Sequence, residues 1–320
     1  MGKWYRKPKV LFLVDTNNWA WSHKARELTK HLSDEFEFKT IPMLVSRDGF
    51  NVRTHDLYFT FGASFVPLLN PIEEARRISG VTAHKEPGFF KTHILPEMKR
   101  VVWRHANSML LYNELIAAGL DNVFYVPNGV NEEQFRIKTP IPAERRNLVV
   151  GHVGKRSSQP KSESKGQKTF IEPACAKAHV EYRGHYNTWK NAVPHEKMPD
   201  VYQEFDCFIV ASITDGTPCG ALEAAACGRP IVSNAIGNMP EFISSKPGHE
   251  NGFLVDRNID AYVDKLNYLR DNRDKLIEMG NNARKTVLAE WTWKKQAENY
   301  RAMFHTILDQ VGLKGSADDK

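Results

Sequence analysis

Short apolar runs recur along the chain, each followed by a polar turn and then by residues whose apolar positions fall three or four apart. Val10-Leu11-Phe12-Leu13-Val14 is the first such run; it stops at Asp15, and a helical pattern occupies about Ser22 to Leu32. Continuous apolar runs of this length belong to strands buried on both faces, and their alternation with helical segments predicts a parallel sheet covered by helices. On this pattern strands are expected at 36–42, 56–62, 80–84 and 123–126 and, in the second half, at 148–153, 180–184, 208–210, 230–233 and 251–255. Residues 95–118 read as one long helix, and residues 259–289 as helical and charged. A closing helix is expected to run to about Val311. The stretch from Arg136 to Arg146, with prolines and charges, reads as a linker. The expected architecture is α/β, with a first domain at 1–138, a second at 147–289 and a final segment at 290–312.

The densest chemistry lies between Cys207 and Ile243. Phe208-Ile209-Val210 makes a strand, Ser212 to Gly216 a turn, and an Ala-rich helix follows with Thr217 as expected N-cap, Pro218 as first helical residue and Gly228 just past its end. In open α/β sheets ligands bind beyond the carboxyl ends of strands, and a helix start offers unpaired N–H groups that suit a phosphate. Asp215 in the turn and Glu223 in the helix are eight positions apart and bracket that helix start. Two carboxylates so placed can accept hydrogen bonds from hydroxyl groups on either side of a diphosphate. A nucleotide sugar carries that pattern of sugar hydroxyls, two phosphates and ribose hydroxyls.

Asp215-Gly216-Thr217-Pro218, Leu222-Glu223-Ala224, Cys227-Gly228-Arg229-Pro230 and Gly237-Asn238-Met239-Pro240-Glu241 resemble the donor-site signature of retaining GT-B glycosyltransferases, the large sucrose-synthase-like family of group 1. Asp215 stands for a usual Glu, and Asn238 for a usual Gly. Gly154-Lys155-Arg156 and Lys165-Gly166 resemble the pair of cations that holds the donor diphosphate, with Lys155 where Arg is usual and Arg156 beside it to share its work. Pro127-Asn128-Gly129-Val130-Asn131 with Phe135, the strand Asn251 to Val255 and Trp291-Thr292-Trp293 are similar to further family segments. Residues 192–199 are expected near the nucleotide base, and His84 is the residue matched to a histidine that faces the donor sugar. The resemblance implies a GT-B fold of two Rossmann-like domains and transfer of a hexose or similar sugar from a UDP- or GDP-linked donor with retention. Retention without an enzymatic nucleophile fits same-face attack, the leaving phosphate taking the acceptor proton. Catalysis would fall to His84, Asp215 and Lys165, and donor binding to Lys155, Arg156, Lys165, Asp215, Gly216, Thr217, Pro218 and Glu223. No metal and no cofactor are expected, since cations at the phosphates replace a divalent ion.

Charge and composition bear on the acceptor. The net charge of +6 is uneven: residues 1–138 carry 19 basic and 15 acidic groups, 139–200 carry 11 and 6, and 201–320 carry 14 and 17. A basic first half is compatible with an anionic acceptor, with nucleic acid or with peripheral contact at a membrane surface. A glycan or glycolipid acceptor is the family's common case, and Trp19 and Trp21, in the loop after the first run, offer stacking surfaces. A modified base in DNA is the alternative, in which case charge at Lys24 and Arg26 would matter more than the indoles. A non-catalytic module binding sugar nucleotides or nucleic acid is a second class, and an epimerase or hydrolase a third, for which no dedicated acid–base set stands out. Mean hydropathy is −0.49, and no apolar run approaches the ~18 residues that span a bilayer. Cys175, Cys207, Cys219 and Cys227 lack metal or redox spacing, so reduced thiols and a cytoplasmic location are expected.

Overall fold

The structure, a computed structural model, describes residues 6–17, 20–43, 54–83, 87–144, 147–154, 164–186 and 193–312. The chain divides into two units, one made of the chain up to Asn128 with that from Trp293 onward, the other of Gly129–Thr292.

The first unit holds β1 (Lys9–Val14), β2 (Glu37–Pro42), β3 (Leu57–Thr60), β4 (Arg77–Val81), β5 (Trp103–Ala106) and β6 (Val123–Tyr125). They form one parallel sheet in the order β2-β1-β3-β4-β5-β6. Strand β1 shows why its sequence is apolar from Val10 to Val14. Val10, Phe12 and Val14 pack with Ala25, Leu28 and Leu32 of the helix Ala20–Leu32 and with Phe304 and Ile307 of the helix Trp293–Gln310. Leu11 and Leu13 point to the opposite face, against Val66, Leu69 and Leu111. Side chains alternate along a strand, so a sheet covered on both faces needs apolar residues at every position.

Residues 95–118 are not one helix. They form a turn of helix at Leu95–Met98, the central strand β5 and the helix Met109–Ala117. The strand is fully buried but contains Arg104 and His105, which hide the apolar run that marks its neighbours. Arg104 is accommodated because its guanidinium donates to the carbonyls of Met98 (2.7 Å) and Asp121 (2.8 Å). His105 stacks on Phe59 at 4.6 Å, and its Nε2 lies 2.9 Å from the carbonyl of Thr60. Burial pushes the His105 imidazole down to about 4, so it is neutral and its Nε2–H donates.

The second unit holds β7 (Val149–Gly154), β8 (Glu181–Tyr186), β9 (Cys207–Val210), β10 (Ile231–Asn234) and β11 (Gly252–Val255), parallel in the order β11-β10-β9-β7-β8. Strand β9 alternates as β1 does: Phe208 and Val210 pack with Ala221, Leu222 and Ala225, while Cys207 and Ile209 pack with Tyr262, Leu266 and Leu269. The boundary falls earlier than 138. Residues after Asn128 are tied to the second unit by the Val130 amide, which donates to the Trp291 carbonyl (2.9 Å), and by Arg284, which donates to the carbonyls of Glu132, Phe135 and Ala226. Residues 259–289 form two helices, Ile259–Asp271 and Arg273–Glu290, separated where Asn272 leaves helical geometry and its side chain donates to the Tyr268 carbonyl. Among the described residues no helix is long and apolar enough to cross a membrane.

The order of the second sheet fixes where a ligand can bind. Strand β8 lies on one side of β7 and β9 on the other. The connections leave β7 and β9 in opposite directions, which opens a crevice beyond their carboxyl ends.

Candidate functional site

Both sides of that crevice are built from the expected residues. Lys165 precedes the helical segment that follows β7, and Asp215 lies in the loop after β9. Lys165 Nζ donates to Asp215 Oδ2 at 2.5 Å, with the two side chains 31% and 12% exposed. A backbone bond joins the same two loops, the Ile213 amide donating to the Ser164 carbonyl at 2.7 Å. Gly166 sits between them at φ +69°, where a Cβ would come within 2.3 Å of the Ala211 carbonyl oxygen. Only glycine meets both demands without displacement. Arg257 braces the arrangement: its Nε donates to the Ala211 carbonyl (2.9 Å) and its guanidinium lies 3.9 Å from the centre of the Phe170 ring.

The loop that carries Gly216, Thr217 and Pro218 is held by the loop after β10. Gly237, at φ +54°, approaches so closely that a Cβ there would lie 2.4 Å from the Gly216 carbonyl oxygen. Asn238, fully buried, donates through Nδ2 to Thr217 Oγ1 at 3.2 Å. Thr217 is therefore not the N-cap expected from its sequence. Pro218 takes the cap position with ψ 79°, outside helical geometry, and the helix begins one residue later, at Cys219–Ala226. Gly228 follows that helix at φ +77°, the left-handed conformation suited to a helix end.

Glu223, on the same helix, is held from two directions. Tyr202 Oη donates to Glu223 Oε2 at 2.6 Å, and His195 Nε2 lies 3.3 Å from Oε1. Tyr202 is fully buried, and burial together with the Glu223 carboxylate pushes its phenol well above the ordinary value, keeping it a donor. Tyr202 and Arg257 take part in the site although no sequence motif marked them as functional, whereas Asn238 lies in the donor-site signature, where glycine is usual, and His195 in the 192–199 segment expected near the base.

Trp19, His84, Lys155 and Arg156 lie outside the described residues. Trp21, in the first unit, is half-buried and packs against Phe61 (6.2 Å between ring centres) and edge-on to Phe65 (5.4 Å). Lys24 is 5% exposed, so it is no part of a surface that phosphates could touch. Arg26 is exposed, but its guanidinium is engaged by the Asn17 carbonyl and the His23 ring. Of the pair on which a DNA-contacting surface would depend, Lys24 is buried and Arg26 alone presents its charge at the surface. Among the described residues no group of three His, Cys, Asp or Glu side chains could hold a metal ion.

Two parallel, helix-covered sheets, the second with its strand order reversing beside Lys165 and Asp215, are the architecture of the GT-B class of glycosyltransferase folds. Residues 164–286, which contain Lys165, Asp215 and Glu223, match the family described as Glycosyl transferases group 1. Among curated proteins, the chain is 28% identical over 114 residues to a GDP-mannose-dependent alpha-(1-6)-phosphatidylinositol monomannoside mannosyltransferase of Mycobacterium tuberculosis, a match covering 33% of the chain and 29% of that protein. It is 21% identical over 250 residues to an Escherichia coli UDP-Gal:alpha-D-GlcNAc-diphosphoundecaprenol alpha-1,3-galactosyltransferase, covering 75% of the chain and 50% of that protein. These matches span half or less of the length of the relatives. Among solved structures, the sucrose-phosphate synthase of Thermosynechococcus elongatus aligns with a TM-score of 0.69 at 12% identity, over 95% of this chain and all of that one. Anabaena HepE, solved with UDP and glucose, aligns with a TM-score of 0.69 at 14% identity, over 93% of this chain and all of that one.

Proposed function

We propose that the chain transfers a sugar from a nucleoside diphosphate sugar, UDP- or GDP-linked, to a glycan or glycolipid acceptor, with retention of configuration and without a metal ion. The observation that carries this reading is the Lys165–Asp215 pair at the strand-order reversal, with Asp215 in the loop that leads into the helix presenting Glu223. The curated relatives whose names state a donor use GDP-mannose and UDP-galactose, and their named acceptors are glycolipids, which supports the substrate class.

In this mechanism the diphosphate lies against the start of the helix Cys219–Ala226, with Lys165 turning from Asp215 to a phosphate oxygen. The bond between the sugar anomeric carbon and the diphosphate oxygen breaks, and Lys165 stabilises the negative charge that gathers on the leaving group. The acceptor hydroxyl oxygen forms the new bond on the face the diphosphate leaves, and its proton passes to the departing phosphate. Asp215, released from Lys165, accepts hydrogen bonds from sugar hydroxyls, and Glu223 does the same for the ribose. No base outside the substrate is required, and the reaction is placed in the cytoplasm as part of this proposal.

The test is incubation of the full chain with UDP- and GDP-sugars and a panel of glycan, glycolipid and DNA acceptors, with the anomeric configuration of the product read by NMR. Formation of a product with the donor's configuration supports the reading. Transfer to DNA alone, or an inverted product, contradicts it.

A further inference from the structure

The sequence segments around Asn131, His195 and Tyr202 have no role in the transfer step as derived above, yet they converge on one carboxylate. The Asn131 side chain accepts from the Gln134 amide (3.0 Å), and Gln134 Nε2 donates to the His195 carbonyl (2.9 Å). The same Gln134 nitrogen lies 3.4 Å from His195 Nδ1. An amide nitrogen is a donor, so Nδ1 faces it as an acceptor, and the ring proton sits on Nε2. That proton points at Glu223 Oε1, 3.3 Å away. Phe135 meets the His195 ring edge-on at 5.3 Å and the Tyr202 ring at 5.9 Å, so both rings that hold Glu223 pack on one buried phenyl group.

We propose that Tyr202 and His195 are positioning residues for Glu223, each holding one carboxylate oxygen so that the free lone pairs are aimed at the two ribose hydroxyls of the donor. The inference rests on the donor-site reading above and adds to it a discrimination between ribose and deoxyribose. A carboxylate on a flexible side chain would turn to meet one hydroxyl and tolerate the loss of the other. One held at both oxygens cannot follow, so a missing hydroxyl leaves an acceptor unsatisfied and is penalised. The arrangement also gives the segment from Asn131 to Phe135 a task, since it supplies the Gln134 amide and the phenyl group behind both rings.

The experiment measures binding of UDP and GDP, and of their 2′-deoxy and 3′-deoxy forms, to the full chain and to Tyr202→Phe and His195→Ala. The ratio of ribose to deoxyribose affinity is the readout, because a purely structural loss weakens all ligands alike and leaves the ratio unchanged. The wild-type chain is expected to prefer ribose by about tenfold, the size of one charge-assisted hydrogen bond. Tyr202→Phe, which keeps the ring and its packing, is expected to cut that ratio several-fold, and His195→Ala, at a side chain 33% exposed, to cut it as well, while the loss of its packing on Phe135 would weaken all ligands alike. Unchanged ratios in both variants overturn the proposal while leaving the donor site standing. A wild-type chain that binds nucleoside diphosphates without preferring ribose overturns it too. If no nucleoside diphosphate binds at all, the donor-site reading itself fails and this inference falls with it.

Discussion

Lys165 Nζ and Asp215 Oδ2 stand 2.5 Å apart, fifty positions distant in sequence, and join the loops that leave two adjacent strands. In the proposed reaction this pair is exchanged for two new partnerships, the cation with phosphate and the carboxylate with sugar. Lys165→Ala should therefore lower turnover by about 10²-fold, the effect of losing one group that stabilises developing negative charge. Asp215→Asn alone should also lower it. In kcat/KM the double variant should lose more than the two losses combined, since each single change also removes the ion pair that the substrate otherwise has to break, and the double variant removes it only once. Steady-state kinetics across the four proteins checks this, and simple additivity would separate the two residues.

Glu223→Gln should weaken binding of the nucleoside diphosphate by about 1.5–3 kcal/mol, the range for hydrogen bonds to a charged group. Calorimetric titration of UDP and GDP reads the change. Undiminished affinity would remove Glu223 from the ribose.

Transfer should persist in excess EDTA and gain nothing from added magnesium, because Lys165 supplies the positive charge at the leaving group in the proposed mechanism. Abolition by EDTA with recovery on magnesium addition would replace that account with a metal-assisted one.

His105 offers a test of the first unit's core. Its folded value is lowered from 6.5 to about 4, so the folded chain resists the proton that the unfolded chain accepts. The stability it supports is complete above pH 6.5 and falls as the pH drops from 6.5 towards 4. The slope approaches one proton, about 1.4 kcal/mol per pH unit. Urea unfolding of the wild type and His105→Leu at stepped pH should show a shallower slope in the variant over that window. Parallel slopes would mean that His105 is not buried as a neutral ring.

Much of the fold is legible because β1 after Lys9 and the whole of β9 are apolar at every position, the requirement of a sheet covered on both faces. Strand β5 escapes the same test because Arg104 and His105 are buried with backbone carbonyls as partners, and nothing local in the sequence announces those partners. The residues Lys165, Asp215 and Glu223 stand in recognisable motifs. Tyr202 does not, and His195 lies in a segment expected near the base without being singled out, since their links to Glu223 cross 21 and 28 positions and exist only after the strands and helices have packed. The start of the helix at Cys219 depends on a single dihedral angle of Pro218, which residue type leaves open.

The central claim is that the crevice beside β7 and β9 is a nucleoside diphosphate site, and equilibrium binding of UDP and GDP to the full chain tests it most directly. The account predicts saturable binding of one of the two by the wild type, weakened at least tenfold in both Lys165→Ala and Glu223→Gln. Binding that both variants leave intact, or no binding of either nucleotide to the folded wild-type chain, would contradict it.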